Sequence, residues 1–412
     1  MRFFFVFLAI VLFQGIHGAY VEIGYSLRNI TFDGLDTDDY NPKFNIPTGL
    51  AVDPEGYRLF IAIPRRKPKV PYTVAELNMV MNPGFPVERA PSFEKFKKFN
   101  GEGKKDLVNV YQPVIDDCRR LWVLDIGKVE YTGGDADQYP KGKPTLIAYD
   151  LKKDHTPEIH RFEIPDDLYS SQVEFGGFAV DVVNTKGDCT ESFVYLTNFK
   201  DNSLIVYDET QKKAWKFTDK TFEADKESTF SYSGEEQMKY KVGLFGIALG
   251  DRDEMGHRPA CYIAGSSTKV YSVNTKELKT ENGQLNPQLH GDRGKYTDAI
   301  ALAYDPEHKV LYFAESDSRQ VSCWNVNMEL KPDNTDVIFS SARFTFGTDI
   351  LVDSKGMLWI MANGHPPVED QEKIWKMRFV NRKIRIMKVD TERVFKYSRC
   401  NPNYKPPKEI EV

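Results

Sequence analysis

One short pattern, repeated six times, constrains the fold of this 412-residue chain more than any other feature. An apolar run alternating with period two ends in Asp, a turn follows, and a second alternating run carries an aromatic. The clearest copies are Leu50-Ala51-Val52-Asp53 before Arg58-Leu59-Phe60-Ile61, Leu302-Ala303-Tyr304-Asp305 before Val310-Leu311-Tyr312-Phe313, and Ile350-Leu351-Val352-Asp353 before Met357-Leu358-Trp359-Ile360. Weaker copies centre on Asp116, Asp181 and Gly250, so the steps between copies are 63, 65, 69, 55 and 48 residues. Steps of that size hold four short strands with their loops, and turn formers such as Asp53-Pro54-Glu55-Gly56 join the two runs as hairpins. The pattern predicts an all-β fold, a six-bladed β-propeller with a central channel, occupying residues 19–412 as one domain. Helix is expected to be sparse, with residues 72–81 the one short candidate.

Residues 1–18, MRFFFVFLAIVLFQGIHG, place one Arg before an apolar run and end in a small residue, the layout of a secretory signal. Its apolar core is short for a membrane span, and no later segment is apolar for longer. The chain is therefore expected to be secreted, without a membrane partner and monomeric. In an oxidising compartment thiols pair, and Cys118, Cys189, Cys261, Cys323 and Cys400 contain no CxxC zinc spacing. Four can form two bridges; Cys400, in an irregular tail, is the expected odd one. Asn29-Ile30-Thr31 is the only N-glycosylation sequon.

Lys+Arg 55 against Asp+Glu 60 leaves a net charge of -5, which argues against nucleic acid as a partner. No nucleophile elbow, HExxH, P-loop or dinucleotide fingerprint appears. His155 and His160 fall in a polar stretch expected to be solvated, and Asp135-Ala136-Asp137 and Asp251-Arg252-Asp253 lack the remaining donors of a calcium loop. Neither cofactor nor metal is expected. The first strands of the blades, which should line the channel, begin at Thr48, Gln112, Phe178, Gly246, Ile300 and Thr348, a set poor in anionic oxygen.

Several motifs occur together and in order. They are Pro47-Thr48-Gly49-Leu50-Ala51-Val52-Asp53, Tyr111-Gln112-Pro113-Val114-Ile115-Asp116-Asp117-Cys118 with Leu121-Trp122-Val123-Leu124-Asp125, and Gly347-Thr348-Asp349 with Leu358-Trp359-Ile360-Met361-Ala362-Asn363-Gly364. In these the chain resembles the yellow and major royal jelly family over nearly its whole mature length, and more narrowly the salivary yellow-related proteins of sand flies. That resemblance implies a six-bladed propeller that sequesters biogenic amines in saliva without catalysis. It also implies the disulfides Cys118–Cys189 and Cys261–Cys323.

A small aromatic amine needs an apolar slot for its ring and acceptors for its ammonium, to which aromatic faces add roughly 0.5–2 kcal/mol. The last repeat offers Thr348, Asn363 and His365 across a hairpin, with Phe346 a possible wall and Asp349 a possible counter-ion. By resemblance, Thr348 offers its hydroxyl, Asn363 its side-chain oxygen and His365 its backbone carbonyl; a close relative carries an aromatic at the last position, so His365 is a departure. A stoichiometric scavenger of serotonin, catecholamines or histamine needs a Kd of about a micromolar or below, roughly −8 kcal/mol. The alternative is a dopachrome-converting enzyme, which requires a general base near the substrate carbon, either His365 or Asp349.

Overall fold

The computed structural model describes residues 21–80, 92–96, 107–363 and 383–405, apart from positions 37, 39, 172, 173, 188, 227–229, 233–235, 343 and 345. The expected signal segment and His365 lie outside the described residues. Six antiparallel sheets stand around one axis. From channel to periphery, blade 1 comprises Gly49–Asp53, Arg58–Ala62, Val74–Asn78 and Ser92–Lys95, with Thr31–Phe32 added in parallel outside. Blade 2 comprises Val110–Ile115, Arg120–Asp125, Thr145–Asp150 and Glu158–Glu163; blade 3, Phe175–Val182, Ser192–Asn198, Ser203–Asp208 and Lys213–Thr218. Blade 4 comprises Leu244–Leu249, Pro259–Ala264, Lys269–Asn274 and Gln288–Asp292; blade 5, Ala299–Asp305, Val310–Glu315, Gln320–Asn325 and Thr335–Ser340.

Blade 6 closes the ring. Its inner strands are Phe346–Val352, Met357–Asn363 and Ile384–Asp390, and its outer strand, Glu22–Leu27, comes from the other end of the chain. Neighbouring inner strands pack in sequence order, and the last packs against the first. A small hairpin, Phe230–Tyr232 with Glu236–Tyr240, lies between blades 3 and 4.

The repeat has a physical cause. In two copies the Asp follows the inner strand, where its carboxylate accepts turn N–H groups and reaches the aromatic of the next strand, and in a third it reaches that aromatic alone. Asp116 accepts Trp122 Nε1–H at 2.8 Å, Asp353 accepts Trp359 Nε1–H at 2.8 Å, and Asp181 accepts the Tyr195 hydroxyl at 3.2 Å. Other copies turn the carboxylate outward: Asp53 pairs with Arg119 of blade 2 at 2.8 Å, and Asp305 meets His308 at 2.7 Å. Blade 4 carries Gly250 instead, because a Cβ there would stand 2.8 Å from Pro259 Cγ. Its turn supplies cations in exchange, since Arg252 and Arg258 both reach Asp181 of blade 3, as does Lys279.

Three sequence expectations are corrected. Residues 72–81 do not form a helix: Val74–Asn78 is a strand, with Val74, Ala75 and Leu77 buried and Glu76 accepting from Arg58 Nε at 3.2 Å across the sheet. Pairing with Arg58–Ala62 outweighs local helical preference. The only α-helices among the described residues are the short Thr275–Leu278 and Thr391–Lys396. His160 is not solvated either; it is half-buried between Trp122 and Tyr207, accepts or donates at 2.8 Å to the Tyr207 hydroxyl, and burial beside Arg120 pulls it down to about 4.

The third concerns the cysteines. Cys118 bonds Cys189, but Cys323 bonds Cys400, and Cys261 is buried and free, so Cys261–Cys323 does not form and Cys400 is not the odd residue. After Thr391–Lys396 the chain folds back onto blade 5, where Asn325 Nδ2 donates to the Cys400 carbonyl at 3.0 Å and Arg399 N donates to Asp336 at 2.8 Å. Cys261 packs with Leu311, Phe313 and Trp324, and burial pushes its thiol up to about 12. A thiol reagent should therefore find no reactive cysteine in the native protein and one after unfolding in concentrated guanidinium chloride. Replacing Cys323 and Cys400 together with Ala should cost about 2–5 kcal/mol in denaturant unfolding; an unchanged midpoint would show that this bridge does not hold the tail.

Candidate functional site

All six positions that the repeat marks as inner-strand starts, Thr48, Gln112, Phe178, Gly246, Ile300 and Thr348, lie within three residues of the observed starts and line one cavity of about 710 Å³. It opens on the face where each inner strand starts and where the second strand turns into the third, so Arg66 and Lys67 of blade 1, Lys128 to Thr132 of blade 2 and Phe199 of blade 3 reach its mouth.

Backbone irregularity aims these residues inward. Five of the six inner strands shift register at their start: between Val110 and Pro113, Phe175 and Phe178, Leu244 and Gly246, Ala299 and Ala301, and Gly347 and Asp349. Residues inside those shifts, Tyr111, Gln112, Gly176, Gly177, Phe245, Ile300 and Thr348, all line the cavity. A bulge adds a residue to one strand and turns it out of the ladder, which here means into the channel. Period-two reading of the sequence finds where these strands start but carries no signal for the extra residue.

The walls are aromatic. Phe175, Phe178, Phe199, Phe245, Phe346 and Tyr111 contribute, with Phe199 and Phe245 stacked at 5.4 Å between ring centroids. Phe346 is buried and lines the wall. A chain of hydrogen bonds stitches the blades around this ring. Thr48 Oγ1 donates to the Tyr111 carbonyl at 2.7 Å, Gln112 Oε1 accepts Phe178 N–H at 3.2 Å, and Thr197 Oγ1 donates to the Phe245 carbonyl at 2.6 Å.

Asp349 is the buried acid among the described lining residues and joins three of the blades. Its Oδ2 accepts Leu50 N–H at 2.9 Å; its Oδ1 accepts Gln112 Nε2–H at 3.0 Å and Ile350 N–H at 2.9 Å. No cation among the described residues pairs with it, and burial pushes its carboxyl from 3.8 up to about 7, against the pull of those three donors. Thr348 stands beside it, its hydroxyl only 3.5 Å from the Met361 carbonyl, a contact at the long limit of a hydrogen bond. Asn363 takes a different place: it is buried, its Nδ2 donates to the Pro47 carbonyl, and it does not line the cavity. Of the expected constellation, Thr348 lines the cavity together with Asp349 and Phe346, Asn363 does not, and His365 lies outside the described residues.

At the mouth Arg66 Nε donates to the Tyr111 hydroxyl at 3.1 Å with its guanidinium 4.8 Å over that ring, and Glu130 accepts from the same hydroxyl. Among the described residues no three His, Cys, Asp or Glu side chains come together as a metal site. The arrangement can hold an aromatic ring on phenylalanine faces and a cation against a buried carboxylate and a neighbouring hydroxyl.

The family model described as "Major royal jelly protein" matches residues 108–400. The chain belongs to the major royal jelly protein family. It is 47% identical to "Yellow-related salivary protein SP04" of Phlebotomus argentipes over 99% of this chain and all of that one. It is 49% identical to "Yellow-related salivary protein LJM11" of Lutzomyia longipalpis over 98% of this chain and all of that one. In this major royal jelly family member the segments that carry the resemblance help build the site: Thr48, Tyr111-Gln112 and Thr348-Asp349 line the cavity and are tied by the Thr48–Tyr111 and Gln112–Asp349 hydrogen bonds.

The raised Asp349 carboxyl has a measurable effect on stability. The folded state holds its proton up to about pH 7 and the unfolded chain loses it near pH 3.8, so this group's contribution declines as pH rises between those values. Asp349→Asn lacks that decline. Its stability relative to the parent, measured by denaturant unfolding at stepped pH, should improve steadily from about pH 4 to pH 7; parallel curves would mean that water reaches the carboxyl.

Proposed function

We propose that the protein is a secreted salivary binder of small aromatic amines, holding one per molecule in the central cavity and acting by sequestration rather than turnover. The observation that carries this reading is Asp349, a carboxylate buried at an aromatic-walled cavity without a cationic partner among the described residues. A buried charge left unpaired is costly, and an incoming ammonium both pairs it and is paired by it. Phenylalanine faces suit an indole or catechol ring, and Thr48 and Thr348 add hydroxyl oxygens. The salivary naming of the relatives, the two disulfides and the signal-like leader fit delivery outside the cell. The preferred amine and the host response it blunts, vasoconstriction or inflammation, are the finer part of the proposal.

Amine binding should follow the ionisation of Asp349. Below about pH 7 the carboxyl is neutral and the attraction is lost; above it the charge is present. Calorimetric titration with tryptamine should therefore show affinity rising with pH, by up to about tenfold per unit below the carboxyl's pKa, while uncharged indole-3-ethanol shows no such trend. Asp349→Asn should abolish the pH dependence and weaken tryptamine by about 1.5–3 kcal/mol, the loss of a hydrogen bond to a charged group. Tryptamine affinity that is flat with pH and unchanged in the variant would remove Asp349 from the site.

The same carboxyl favours a second reading. A base whose pKa lies near 7 in a shielded cavity is matched to proton abstraction, the requirement for tautomerising dopachrome. Dopachrome absorbance followed with parent and Asp349→Asn decides between them: turnover by the parent that the variant lacks would make the protein an enzyme and set the scavenger aside.

A further inference from the structure

The cavity is larger than one bicyclic amine requires; about 710 Å³ is room for a drug-sized ligand. Its charge is also unevenly distributed. Among the described residues Asp349 is the one acid at the inner end, whereas Arg66, Lys67, Lys128 and Glu130 line the mouth. Glu130 is already committed to Arg66, 4.0 Å away, and to the Tyr111 hydroxyl. Lys67 and Lys128 are half-buried and have no acidic partner among the described residues.

These two lysines come from different blades. Lys67 follows Arg58–Ala62 in blade 1, and Lys128 follows Arg120–Asp125 in blade 2. The neighbouring inner strands of those blades are tied at Thr48 and Tyr111, which fixes the two loops side by side above the same opening. Low-dielectric aromatic walls beneath them focus the field into the cavity rather than letting solvent dissipate it. A cation is opposed on arrival at such a mouth, and an anion is drawn to it.

We propose that the mouth is a second binding site, for the anionic group of an aromatic organic acid whose ring enters the phenylalanine-walled cavity. The carboxylate or sulfonate sits between Lys67 and Lys128, and the ring occupies the space toward Phe199 and Phe245. This site is independent of the amine reading, because its charged partners lie at the opposite end from Asp349.

The test uses one ring with three charges. Indole-3-acetate, indole-3-ethanol and tryptamine are titrated into the full-length secreted protein and into the double variants Lys67→Glu/Lys128→Glu and Lys67→Gln/Lys128→Gln, with circular dichroism confirming that the variants fold. Indole-3-acetate should bind the parent about tenfold or more tightly than indole-3-ethanol, and should weaken as salt is raised. Both double variants should erase that preference without changing indole-3-ethanol, and the Glu variant should bind tryptamine at least as well as the parent. Asp349→Asn should keep indole-3-acetate binding while it weakens tryptamine; a parent that binds indole-3-acetate but not tryptamine would count against the amine reading only. Equal affinity of the parent for indole-3-acetate and indole-3-ethanol, undetectable indole-3-acetate binding, or an unaltered preference in the variants would overturn the proposal.

Discussion

Glu22–Leu27 pairs with Ile384–Asp390 from the far end of the chain, and this pairing converts six sheets into a ring. The ties between blade 6 and blades 1 and 2 at the site depend on it. Leu50 of blade 1 can donate to Asp349 of blade 6 only if the first and last blades touch. Closure also removes two exposed sheet edges that would otherwise pair with other chains.

Apolar clusters span the junctions between blades, and polar groups on the channel side add further ties. Thr48, Gln112, Thr197 and Asp349 each reach a neighbouring blade, and none lies in the outer strands. Such bonds gain strength in a dry interior, but they place a carboxylate where burial penalises its charge. Asp349 is therefore a structural link whose ionisation is left near neutrality, and a ligand that pairs with it also relieves the fold. Under the proposed function, stability and binding draw on the same side chain.

Much of this was legible in the residues because the repeat has a chemical basis. The Asp at the end of an inner strand and the Trp or Tyr that follows form one hydrogen-bonded unit in three blades, so the pattern recurs wherever the blade recurs. The inner-strand starts read from that pattern are the cavity-lining residues. What escaped lies in the third dimension. Cys400 reads as loose tail because nothing local reveals that Thr391–Lys396 folds the chain back onto blade 5. Residues 72–81 read as helix because Ala, Glu, Leu and Met favour one, and only the partner strand overrides them. Asn363 shares a hairpin with Thr348, but the bulge between Gly347 and Asp349 points Thr348 into the channel while Asn363 turns to the Pro47 carbonyl.

The two ends of the cavity act on different parts of a binding event. At the mouth the lysines sit within a Debye length, about 8 Å at physiological salt, of anything that passes, and they are felt by a ligand in transit. At the inner end Asp349 acts on a ligand already seated. For a cation the mouth is a barrier crossed both on the way in and on the way out, so it slows arrival and departure together and leaves the equilibrium to the carboxylate. For an organic acid the mouth is the destination and the inner carboxylate limits how deep it can sit. A single aromatic-walled channel with opposite charges at its ends thus sorts ligands by sign along its depth, and a molecule carrying both charges would be held in one orientation only.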